Sequence, residues 1–128
     1  MKKIVFHLNC LERGGAERVV TTLSGQFAAH GYEVYIATEW TGEDEYETDP
    51  RVRRVHVGLD VQQEKHNRLR RFADRILNLR RFLRKVQPDL VIAFARKANY
   101  RALTATLGMK LPVLISVRIH PVGYYDFL

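Results

Sequence analysis

Cysteine is nearly missing from this chain: Cys10 is the one thiol in 128 residues. A single cysteine excludes an internal disulfide framework and fits a reducing compartment. Here it reads as a small packing residue, because no histidine partner is indicated for a nucleophile. Long apolar runs are missing too, and no stretch reaches the roughly 18 residues that a membrane span needs. The opening segment, MKKIVFHLNC, lacks the length and small-residue cleavage site of a signal peptide. It reads as a first strand, and the expected location is cytoplasmic. The five histidines, His7, His30, His56, His66 and His120, are scattered without ligand spacing, so no metal site is expected. There is no internal repeat, no GxGxxG fingerprint and no Walker lysine after a second glycine.

What is present is a regular alternation. Ile4 to Leu8 is a short apolar run, read as a buried strand. Ala16 to His30 places Val19, Val20, Leu23, Phe27 and Ala28 at helical spacing, with Gly31 as the stop. Glu33 to Thr38 is β-branched and aromatic, a second strand. Arg51 to Val57 alternates and predicts a third, edge strand. Leu69, Phe72, Ile76, Leu79, Leu83 and Val86 mark a long amphipathic helix that Gln87-Pro88 ends. Leu90 to Ala95 reads as a buried strand. Asn99 is a candidate N-cap for a helix through Leu107, with Gly108 as its stop. Pro112 opens a last strand. Strands alternating with helices predict one α/β domain, a Rossmann-like parallel sheet with helices on both faces. Ligands then bind beyond the carboxyl ends of the strands. Residues 9–15, 38–42, 57–63, 95–99 and 117–123 are the segments to watch.

Charge is unevenly spread. The net charge is +7, yet residues 61–87 carry nine Lys or Arg against two acids, and residues 41–50 carry five acids and no base. The basic excess points to an anionic partner or to a solvated helix face. Gly14-Gly15 stands at the junction of the first strand and first helix. Glycine permits positive φ and close approach of another molecule. The free N–H groups of the helix start favour an anion there. A plain tight turn is the other reading.

The text GGAERVVTTLSGQFAAHGYEVYIAT resembles the opening of the family 4 glycosyltransferases. Gln87-Pro88-Asp89-Leu90-Val91-Ile92 is similar to that family's PDxV strand, and Ile115-Ser116-Val117-Arg118 to a strand end in members that extend bacterial surface glycans. Tyr32 stands where the family often has histidine. The resemblance implies a GT-B enzyme with two Rossmann-like domains facing a cleft. This chain would be the N-terminal, acceptor-side half, with the C-terminal nucleotide-sugar domain outside it. It implies a retaining, metal-independent glycosyltransferase without cofactor. The donor would be a nucleotide diphosphate sugar, a UDP-sugar above all, and the acceptor a bacterial glycan or lipid-linked sugar. The 128 residues alone would be inactive.

On this resemblance the donor diphosphate contacts fall on Gly14, Gly15, Ala16 and Glu17. Arg118 and His120 are the candidate catalytic residues. Arg13, Arg96, Lys97, Asn99 and Tyr100 are the candidate acceptor contacts, although Asn99 also reads as a helix cap and the others as surface residues. The arginine helix, at about 1 kcal/mol per base beside an anionic leaflet, suggests contact with the inner face of the plasma membrane. Alternatively its arginines cover apolar flanks with their stems. Two rival readings stand beside this one: a basic nucleic-acid-binding module and another GT-B enzyme such as a sugar-nucleotide epimerase. Against the former, aromatics are not interleaved with the basic run as a stacking platform requires.

Overall fold

The computed structural model describes residues 2–116. Five strands form one parallel sheet in the order β3-β2-β1-β4-β5. They are β1 (Lys3–Leu8), β2 (Glu33–Thr38), β3 (Arg53–His56), β4 (Leu90–Phe94) and β5 (Val113–Ser116), joined through α1 (Gly15–Ala29), α2 (Val61–Glu64), α3 (Arg68–Val86) and α4 (Arg96–Ala105). The register pairs Phe6 with Ile36 on one side and with Ile92 on the other.

The alternation of each strand sorts the core into two layers. Ile4, Phe6 and Leu8 of β1 join Ile36, Ile92 and Phe94 against Val20 and Ala28 of α1. Val5, Ala37, Val91 and Ala93 face the other way, onto Leu79 and Leu83 of α3 and Ala102 and Ala105 of α4. The small residues on that side let α4 sit close to the sheet. Burying one leucine such as Leu83 is worth about 1.5–3 kcal/mol.

Four local expectations change. The third strand is shorter than the alternation suggested, four residues at the β3 edge. A short helix, α2, is formed by a capping box in which Asp60 and Gln63 satisfy each other's backbone N–H groups. Only the second half of the apolar stripe on α3 is buried: Leu79 and Leu83 are inside, whereas Leu69 and Phe72 are 80% and 56% exposed. Asn99 is not an N-cap. α4 starts earlier, capped by Ala95 at φ 81°, and the Asn99 N–H already donates to the Ala95 carbonyl at 2.8 Å. The buried Asn99 side chain instead donates to the Ser116 carbonyl at 3.1 Å, tying α4 to the end of β5.

Candidate active site at the carboxyl edge of the sheet

All strands are parallel, so their carboxyl ends share one edge. The loop after β1 carries Gly14 and Gly15. Neither takes positive φ: Gly14 is extended at φ −162° and Gly15 opens the helix. Neither glycine is therefore required by a special dihedral angle. A β-carbon on Gly14 would collide with the Glu17 carboxylate, which folds back over the turn. A β-carbon on Gly15 would meet no protein atom within 4 Å. The helix has no side-chain cap, and its first internal bond runs from the Arg18 N–H to the Gly14 carbonyl at 3.1 Å. The N–H groups of Gly15, Ala16 and Glu17 thus point out of the open end, where the helix dipole favours an anion.

The other predicted residues separate. Arg13 is drawn onto the acidic loop: its Nε lies 3.1 Å from the Asp44 carboxylate and its guanidinium covers the Tyr46 ring at 5.3 Å. Arg96, Lys97 and Tyr100 are exposed at the start of α4, on the ligand edge. Asn99 is buried beneath them and serves the fold. Arg118 and His120 lie outside the described residues.

A buried polar network under this edge was not anticipated. His7 is fully buried in β1, with its Nδ1–H donating to the Ala37 carbonyl at 3.0 Å. Its Nε2 accepts from Arg101 Nε–H at 3.2 Å, and Arg101 also donates to the Asn9 side chain. Glu39, 4% exposed at the end of β2, lies 3.3 Å from Arg75 Nε and 3.8 Å from Arg101 Nε. Burial pushes the Glu39 carboxyl above its usual range, and the two guanidiniums pull it back. Burial, with the Arg101 charge beside it, lowers His7 to about 3, so its ring is neutral. The N–H groups of Glu39 and Trp40 both donate to the Asn9 carbonyl. The network therefore knits the ends of β1 and β2 to α3 and α4. A histidine inside an apolar strand and a glutamate directly after another were its only signals in the sequence.

Residues 13–125 match the model of Glycosyltransferase Family 4. The chain belongs to this family. A relative from Campylobacter jejuni is 28% identical over 116 residues, covering 91% of this chain and 32% of its own length. It is named GalNAc-alpha-(1->4)-GalNAc-alpha-(1->3)-diNAcBac-PP-undecaprenol alpha-1,4-N-acetyl-D-galactosaminyltransferase. The chain thus spans about a third of the length of this relative. Among solved structures it resembles sucrose-phosphate synthase from Thermosynechococcus elongatus, with a TM-score of 0.74, 15% identity, and coverage of 98% of this chain and 35% of that one. It also resembles WaaG, a glycosyltransferase involved in lipopolysaccharide biosynthesis, with a TM-score of 0.60, 14% identity, and coverage of 97% and 40%. These likenesses bear on the fold, which is the Rossmann-like parallel sheet of GT-B glycosyltransferases.

Proposed function

We propose that this chain is the acceptor-side domain of a retaining glycosyltransferase. The donor is a nucleotide diphosphate sugar, a UDP-sugar in the first instance, and the acceptor a lipid-linked or surface glycan. The observation that carries the reading is the open turn at Gly15, where backbone N–H groups are uncapped and a β-carbon would meet only solvent or ligand. Sugar transfer leaves charge on the departing diphosphate, and donors already aimed at that charge lower the barrier. In this reading Gly14, Gly15, Ala16 and Glu17 offer main-chain N–H groups, with no metal or cofactor. Arg96, Lys97 and Tyr100 line the acceptor side. The Campylobacter relative's name, which joins a diphosphate-linked polyprenol to an N-acetylgalactosamine transfer, supports a lipid-linked acceptor. Family membership favours transfer over the epimerase and nucleic-acid readings.

A second domain supplies the rest of the donor site in this account, and Arg118 or His120 approaches the transferred sugar from this one. The test is a transfer assay with UDP-sugars and a polyprenyl-diphosphate-linked acceptor. The protein from the complete reading frame should turn over, and the 128 residues alone should not. Turnover by the 128 residues alone would overturn the two-domain reading.

A further inference from the structure

The acidic loop between β2 and β3 folds back on the segment that leads into the glycine turn. Arg13 joins the two segments through its N–H to the Asp44 carbonyl at 3.3 Å and its side chain to the Asp44 carboxylate at 3.1 Å, and a second carboxylate gathers the bonds nearer Leu11. Glu45 Oε2 accepts the Leu11 N–H at 2.9 Å and the Gly42 N–H at 2.8 Å. Arg54 holds the same carboxylate with two N–H groups, one on Oε1 at 3.0 Å and one on Oε2 at 3.1 Å. Arg54 is fixed in turn by Thr38 Oγ1 at 2.9 Å, at the end of β2. Around this centre the Tyr46 N–H donates to the Leu11 carbonyl at 3.0 Å, and Glu12 and Glu45 form an isolated antiparallel bridge.

Leu11 is fully buried, so its N–H would be an orphan donor without Glu45. The Glu45 side chain is only 12% exposed, and its two oxygens take four donors. A two-pronged arginine–carboxylate pair fixes orientation as well as charge. Burial works against the charged form of Glu45, but the Arg54 bonds and the Gly42 and Leu11 N–H groups prevail and bring it down to about 2. The brace therefore stays charged at any working pH.

We propose that Glu45, locked by Arg54, is a positioning residue for the diphosphate site: it anchors Leu11, three residues ahead of Gly14, and so sets where the first N–H groups of α1 converge. This rests on the reading of the glycine turn as the diphosphate site. Glu45 touches no substrate. Its effect runs through the backbone of residues 11–15, where a small displacement separates donors that must meet one anion.

The experiment is a titration of the isotopically labelled chain with inorganic diphosphate, following the amide resonances of Gly14, Gly15 and Ala16. The wild type should show saturable shifts at these amides. Glu45→Ala should weaken binding about tenfold, which corresponds to about 1.4 kcal/mol. The Leu11 and Gly42 amides should exchange faster, while Val5 and Val91 in the sheet keep their protection. Glu45→Gln and Arg54→Lys preserve more of the packing and should fall between, which keeps the comparison usable if the alanine variant unfolds. Unmoved wild-type amides at residues 14–16 would remove the anion-site reading, and the role of Glu45 with it. Binding by the wild type and by all three variants at equal affinity would leave the site standing and overturn the positioning role.

Discussion

Arg101 on α4 donates its Nε–H to His7 Nε2 on β1 at 3.2 Å, across 94 positions of sequence. That bond fixes the histidine tautomer, with the proton on Nδ1 directed at the Ala37 carbonyl. His7 should therefore show no titration in the folded protein between pH 4 and 8, and its nitrogen shifts should report the Nδ1–H form. The unfolded chain takes up this proton near pH 6.5, the ordinary histidine value, whereas the fold resists it down to about 3. Between those values the unfolded state binds more protons. Stability is then complete above the unfolded value and falls as pH drops toward 3, with a limiting slope of about 1.4 kcal/mol per pH unit. Urea unfolding of wild type and His7→Gln across this range checks it. The variant should lose that slope.

Gly58 marks a place where two backbones touch. A β-carbon there would collide with the Glu39 carbonyl oxygen and come within 2.8 Å of its carbon. No side-chain movement relieves a clash against main chain. Gly58→Ala should cost about 1–3 kcal/mol, as overpacking does, and should displace Glu39 from its arginines. Thermal unfolding measures the first effect. A stability within about 0.5 kcal/mol of wild type, the spread of a harmless surface change, would mean that the loop after β3 shifts freely.

The start of α3 is a candidate membrane contact. Leu69 and Phe72 are exposed beside Arg68 and Arg70, and Val61 on α2 is 71% exposed. No helix among the described residues is long and apolar enough to cross a membrane. Sedimentation with vesicles of anionic lipid should capture the chain, with binding lost at high salt because exposed charges are screened. Leu69→Ser with Phe72→Ser should weaken capture. No capture by anionic vesicles, or capture that neither salt nor the double variant reduces, would refute the contact.

Much of the fold was legible because periodicity reports burial directly. The strands of β1, β2 and β4 are continuous apolar runs, and a parallel sheet buried on both faces demands that. Gly31 and Gly108 take positive φ where helix stops were expected. The start of α4 is hidden in the sequence because Ala95 caps it without the side chain that normally signals a cap, while Asn99, which has such a side chain, spends it on β5. The α3 stripe is uniform in sequence, but Ile76, Leu79, Leu83 and Val86 pack on the core while Leu69 and Phe72 stay exposed. Of the site, the glycine turn was readable from two adjacent glycines. The Glu39 and Glu45 networks were not, since each depends on partners brought together by the sheet order and not by spacing along the chain.

Gly15 offers the most direct test, because its β-carbon position is empty in the protein itself. Gly15→Ala and Gly15→Val should fold with unchanged melting temperature. In a two-domain enzyme of the proposed kind, the sugar-transfer rate should fall by about a hundredfold with valine, the cost of misplacing a reacting group by about 1 Å, and less with alanine. A valine variant that transfers sugar at the wild-type rate would contradict the assignment of this turn to the donor diphosphate.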